Sequence, residues 1–179
     1  MYGQAIITSI LPLLSLSLAL PVEQRDTTEF TLTSLDATFP ESGVYGDENV
    51  DSFVNVGLTY GATLNTTCRV SWPAGTSPGP TAWTACADKD IQFRLPTDGW
   101  TSTTNFRVEF WEQLTPDGSG LDATHYIAMN PSNPNDPASV MFCLQKGKFN
   151  PLTCTLTGPY GESARTVSMT ATKEDAIPK

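Results

Sequence analysis

Apolar and polar side chains alternate at period two in short runs along this chain, and no window carries the spacing of an amphipathic helix. In LNTTCRVSW, residues 64–72, Leu64, Thr66, Cys68, Val70 and Trp72 share one face, while Asn65, Thr67, Arg69 and Ser71 share the other. Successive side chains of a strand point to opposite faces, so this segment is a strand with one buried side. Val54, Val56 and Leu58 line up in the same way, as do Ile91, Phe93 and Leu95, and Phe106, Val108 and Phe110. ATHYIAM (123–129), SVMFCL (139–144), LTCTL (152–156) and RTVSMTA (165–171) continue the pattern. In FTLTSLDATF (30–39) the phase shifts from Phe30 and Leu32 to Leu35, Ala37 and Phe39, which predicts a β-bulge. The connections PAGTSPGPTA, PTDGWTS, TPDGSG and NPSNPNDP are built from residues that set turns and cannot continue a ladder. About nine short strands at this spacing predict an all-β fold, a single compact antiparallel barrel or sandwich.

The first residues read differently. Residues 1–19 contain no charged side chain and carry an apolar run from Ala5 to Leu14, interrupted by Pro12 and followed by Ser17 and Ala19. This is the pattern of a signal peptide with cleavage before Leu20, too short and interrupted for a comfortable membrane span. The expectation is an exported chain, 20–179, folded as one domain with its core at about 30–171 and a polar tail, KEDAIPK, that frays. The 19 acidic against 10 basic residues give a net charge of −9. That balance argues against nucleic acid or an anionic membrane as partner, since either demands a basic patch.

All four cysteines, Cys68, Cys86, Cys143 and Cys154, lie after the signal peptide, and an even count in an exported chain points to two disulfides. Three pairings are possible. The local one, Cys68 with Cys86 and Cys143 with Cys154, is favoured because FCLQKGKFNPLTC reads as two short strands around a Lys-Gly-Lys turn. No CxxC is present, and His125 stands alone as histidine, so no metal site and no cofactor are expected. Asn65 opens the one usable glycosylation sequon, NTT; it falls on the outward face of its strand, where a glycan needs to be.

Catalytic constellations are missing from the sequence. There is no GxSxG, and no base for a serine or cysteine nucleophile beyond His125. Nor is there a histidine at the expected mature N-terminus for a copper oxygenase. Among carboxylates, Glu109 and Glu112 flank Trp111 but fall on opposite faces of a strand, and Asp117 and Asp122 bracket a turn. All four are expected to be solvated surface charges rather than the paired acids of a glycosidase. Of the tryptophans, Trp72 and Trp83 neighbour cysteines and are expected to pack on the disulfides. Trp111 is out of phase with Phe106, Val108 and Phe110, and Trp100 lies in a turn; these two are the candidates for exposed partner contact, together with the stiff NPSNPNDP loop.

The order and spacing of FTLTSLDATF, NTTCRVSW, PTAWTAC, IQFRL, NFRVEF and FCLQKGKFNPLTC resemble the secreted fungal family of the Alternaria major allergen, over about residues 30–157. The resemblance implies an antiparallel β-barrel with the two local disulfides. It also implies a non-enzymatic role, that of an allergen-like protein or plant-directed effector and elicitor acting in virulence in the apoplast. Such a protein binds host proteins or small ligands. The allergen carries a further cysteine near its mature N-terminus for a covalent dimer; this chain lacks it, so no disulfide-linked dimer is expected. The alternative is a carbohydrate-binding or weakly glycan-active cell-wall protein.

Overall fold

The period-two runs all become strands, and three shorter strands join them. The structure is a computed structural model that describes residues 29–40, 50–61, 63–76 and 79–179. Residues 1–19 and the expected start at Leu20 lie outside the described residues. The first antiparallel sheet, sheet I, contains β1 (Glu29–Phe39), β2 (Ser52–Tyr60), β3 (Leu64–Trp72), β9 (Phe142–Gln145), β10 (Leu152–Thr155) and β11 (Val167–Thr170). Sheet II contains β4 (Thr84–Ala85), β5 (Ile91–Arg94), β6 (Trp100–Ser102), β7 (Asn105–Gln113), β8 (Gly120–Ala128) and β12 (Thr172–Glu174). The spatial orders are β3-β2-β1-β10-β9, with β11 also on β1, and β12-β8-β7-β5-β4, with β6 on β7.

The bulge in β1 is present. Its register against β2 shifts between Leu32 and Ser34. At the same place β1 changes its other partner, from β11 (Leu32 opposite Val167) to β10 (Asp36 opposite Thr155). One long strand thereby serves two neighbours, the bend coming from the extra residue. Gly57 makes room for it, since a Cβ there would lie 2.5 Å from Ser34 Oγ and 2.9 Å from Thr33 Oγ1.

The apolar faces meet between the sheets. Phe30, Leu32, Val54, Val56 and Tyr60 from sheet I face Ile91, Phe93, Phe106, Val108 and Phe110 from sheet II, all of them fully buried. One end is closed by aromatic rings. Trp100 stacks on Phe106 at 5.4 Å and meets Trp72 edge-on at 5.8 Å, and Phe39 touches the edge of each group.

The two sheets are open, so the molecule is a sandwich and the barrel implied by the family resemblance is not formed. At one side the chain itself crosses from sheet I to sheet II at buried Ala171, between β11 and β12. At the other, β3 meets the β4 segment through the Cys68–Cys86 disulfide and a bond from Ala87 N–H to Thr67 C=O at 2.9 Å, with no ladder among the described residues to close the cylinder. The second bridge, Cys143–Cys154, lies inside sheet I, across directly opposed residues of the β9–β10 hairpin. Replacing Cys68 and Cys86 together by serine should therefore loosen the seam between sheets. Over a separation of 18 residues the expected loss is ~3 kcal/mol, read as a melting temperature lower by roughly 6–12 °C.

Part of the polar tail joins sheet II. Thr172–Glu174 pair with β8 at residues 120–122, and the Trp83 indole N–H donates to the Pro178 carbonyl at 2.7 Å. Backbone hydrogen bonding at a sheet edge does not need apolar side chains, which is why TKE forms a strand without the alternation that marks the others.

Candidate functional site

Charged and aromatic residues gather on the outer face of sheet II, the side turned away from the core. The cross-strand registers set them in rows: Arg94 opposite Glu109 opposite Thr124; Trp111 opposite Asp122 opposite Thr172; Arg107 opposite Tyr126; and Asn105 opposite Ala128. Side chains in such rows stand about 5 Å apart. The face divides into a closed half and an open half.

The closed half is a buried ion pair under an aromatic lid. Arg94 donates to Glu109 with both ends of its fork, Nε to Oε2 at 2.6 Å and Nη2 to Oε1 at 3.1 Å. Both residues are buried, and the Arg94 guanidinium lies 4.3 Å from the centre of the Trp83 ring. Such planar, bidentate and stacked geometry is what arginine provides and lysine does not. Trp83 is in turn anchored to the C-terminal segment through Pro178. The Trp83 ring thus serves as a platform for a cation of the same chain, a role its place beside Cys86 did not indicate.

Asp122 sits at the edge of this pair. Burial, and then the negative charge of Glu109, push its carboxyl up from 3.8 to about 6, against the opposing pull of Arg94. Its Oδ1 is buried without a hydrogen-bond partner. A carboxyl whose pKa rises on folding takes up a proton as the chain folds. Its contribution to stability is therefore full below pH 3.8, falls as pH rises through about 6, and stays low above that. A two-unit shift of a fully buried group corresponds to ~3 kcal/mol; half-exposed, Asp122 is expected to account for ~1 kcal/mol after screening. Asp122→Asn should accordingly gain ~1 kcal/mol at pH 7 and nothing at pH 3.5, measured by urea unfolding at both pH values.

This half corrects the expectation that the carboxylates are solvated. Glu109 and Glu112 do fall on opposite faces, but both are buried, at 4% and 2% exposure. The even-numbered face of β7 meets the core and the odd-numbered face meets Arg94, so neither side of this stretch is open. Asp117 alone behaves as a turn residue. It is exposed, accepts from the Thr115 hydroxyl and the Ser119 N–H, and those bonds hold its carboxyl below the usual range. Both oxygens of Glu109 are taken by Arg94, and the pair offers no open carboxylate to a substrate.

Trp111 corrects a second expectation. It does point to the outer face, as its phase requires, and is nonetheless only 1% exposed. Its indole lies over Gly120 on β8, where any Cβ would collide with the ring, and Asp122 stands directly opposite. A glycine lane on a neighbouring strand is what accommodates so large a side chain. Trp100 is half-buried and packs against the core through Phe106, Trp72 and Phe39. The Trp111 indole is therefore covered, whereas Trp100 keeps part of its surface open while packing on the core. Trp72 is buried too, donating its N–H to the Thr76 carbonyl at 2.9 Å.

The open half lies at the other end of β7 and β8. There the NPSNPNDP loop folds back along β8: Ala128 N–H donates to Ala138 C=O at 2.7 Å, and Met141 N–H to Ala128 C=O at 3.1 Å. The β6–β7 connection borders the opposite side, with Met129 N–H bonded to Thr104 C=O at 3.0 Å. Between them is a groove of about 570 Å³, lined by Thr101, Ser102, Asn105, Tyr126, Asn130 and Asp136 among others. Tyr126 is 42% exposed. Arg107 covers one side of its ring at 5.9 Å, at the outer limit of a cation–π contact, and pairs with Asp98 at 2.5 Å. Asn105, Thr101 and the Tyr126 hydroxyl make no side-chain hydrogen bond among the described residues. Asn130 and Asp136 each use one side-chain oxygen to hold their own loop, accepting from Asn133 N–H and Ala138 N–H.

Sequence phase had a signal for Tyr126. It breaks the alternation of Ala123, His125 and Ile127 just as Trp111 breaks that of its own strand. The remaining sequence candidate, Asn65, lies exposed on β3 as its phase requires. Its side-chain Oδ1 accepts from the Thr59 hydroxyl at 2.8 Å. Among the described residues no group of three or more His, Cys, Asp or Glu is placed to hold a metal ion, and no helix is long and apolar enough to cross a membrane.

The chain is similar in fold to the major allergen Alt a 1 of Alternaria alternata. Two crystal structures of that allergen match at 14% sequence identity and a TM-score of 0.48. One match covers 85% of this chain and 96% of the allergen chain, the other 87% and 95%. No family model matches the sequence, and no curated protein matches it either.

Proposed function

We propose that this is an exported, non-enzymatic, allergen-like effector that binds host proteins or small ligands outside the cell, with the open half of the outer face of sheet II as its contact surface. The observation that carries the reading is the groove beside Tyr126. Its polar lining has hydrogen-bonding capacity not spent inside the molecule, whereas in the closed half Arg94 and Glu109 are buried and satisfy each other. Binding sites are concave, with a few convergent polar groups beside aromatic surface, and this groove meets that description. Two disulfides fit a protein that works in an oxidising, extracellular setting. A glycan on exposed Asn65 would stand on the outer side of sheet I and leave the groove free.

A photo-reactive phenylalanine analogue installed at Tyr126, and separately at exposed Ser71 on sheet I, tests this in plant apoplastic fluid. Capture of a defined host molecule from the Tyr126 position, competed by unlabelled protein and missing from the Ser71 position, is expected. Equal capture from both positions, or turnover of chitin, glucan or xylan by the purified protein, would overturn it.

A further inference from the structure

Resting on that reading of the groove, we infer that its ligand is a neutral, hydroxyl-rich chain, an uncharged oligosaccharide, laid along Tyr126 between the β6–β7 connection and the proline-rich loop. Four features of the site select this chemistry.

The unspent groups are of the right kind. Asn105 offers a complete amide, with an acceptor oxygen and two donor hydrogens, and Asn130 keeps its NH₂ after its oxygen is committed to Asn133. Asp136 keeps one carboxylate oxygen after the other accepts from Ala138. Thr101 and Tyr126 add hydroxyls. Vicinal hydroxyls, each both donor and acceptor, are met by amides and carboxylates that can take two at once.

The aromatic surface is also of the right kind. An exposed tyrosine ring presents a flat apolar face with a polar tip, matching a sugar ring that has C–H bonds on its faces and hydroxyls at its rim. Ala128, Met129 and Ala138 supply a small apolar floor of matching character.

Charge excludes the acidic members of the class. Arg107, beside Tyr126, is tied to Asp98 through Nη2 and its Nε is buried out of a ligand's reach, while the charged side chain lining the groove is Asp136, on a protein of net charge −9. A uronic acid or sulfated sugar would meet repulsion without a compensating partner. Finally, the groove is partly open to solvent and is not an enclosed cavity, so a ligand longer than the groove can extend beyond it. The carboxyl cluster at Glu109 and Asp122 lies on the same face, four residues along β7 from Asn105 and therefore about 13 Å away, so the ligand is held and not cleaved.

Isothermal titration of the intact glycosylated protein with chitohexaose, xylohexaose and laminarihexaose, with hexagalacturonate as the acidic control, tests the inference. At least one neutral hexasaccharide should bind, with hexagalacturonate at least roughly tenfold weaker. Tyr126→Ala should weaken binding by roughly tenfold or more, and Asn105→Ala by roughly fivefold, each with an unchanged melting temperature, since neither side chain is packed in the core. No heat from any neutral sugar at millimolar concentration, binding that both variants leave intact, or preference for the acidic sugar would each overturn it. If the sugars fail while the Tyr126 cross-linker still captures a host molecule, the ligand class is wrong and the contact surface stands. If the cross-linker fails as well, both fall.

Discussion

Arg94→Ala should cost ~3–5 kcal/mol of stability, lowering the melting temperature by roughly 6–20 °C, because it leaves Glu109 charged, buried and without its partner. The figure far exceeds the ~0–1 kcal/mol of a surface pair because neither group can turn to water. It also removes the guanidinium stacked on Trp83, so the lid that the C-terminal segment fastens through Pro178 loses its underside. The sharper test is the double variant Arg94→Met with Glu109→Leu. Two apolar side chains of similar volume leave no orphaned charge and should restore most of what Arg94→Ala loses. A double variant as unstable as the single one would mean that the ion pair is not a self-contained unit of this face.

Trp111→Ala should be comparably damaging, by ~3–5 kcal/mol, with no effect on ligand binding beyond the fraction unfolded. The side chain is covered on the outer face, over Gly120, and its removal leaves a cavity there, since the flanking strands are held in register by their ladders. A surface tryptophan would give the reverse signature, near-normal stability with lost binding. Equilibrium unfolding in urea beside a binding titration separates the two outcomes. Loss of binding with stability intact would reinstate Trp111 as a contact residue.

The pair Trp111 and Tyr126 shows what the sequence could and could not disclose. Both break the apolar phase of their strands, and both stand on the outer face of sheet II. Phase reports which face a side chain takes, and it did so for both. Whether that face is covered depends on residues far along the chain. Trp111 meets Gly120 and Asp122, whereas Tyr126 meets Arg107 and the groove. The Arg94–Glu109 pair was hidden for the same reason: the two residues are 15 positions apart and meet only because β5 pairs with β7 in one register.

The fold was more legible, because alternation is a local property. The nine alternating runs and the β1 bulge follow from side-chain order alone. β4, β6 and β12 did not, since two or three residues cannot show a period and their pairing is made by backbone groups. Barrel or sandwich was likewise undecided in the sequence. It turns on whether β3 and the β4 segment form a ladder, and they are joined instead by a disulfide and one backbone hydrogen bond.

The division of one sheet face into a closed structural half and an open binding half is tested most directly by an amide-shift map during titration with the tightest-binding neutral hexasaccharide. The shifts should cluster at residues 101–105, 126–130 and 136–138, with Trp83, Arg94, Trp111 and Asp122 unmoved. Shifts centred on that second group, or on the outer face of sheet I, would contradict it.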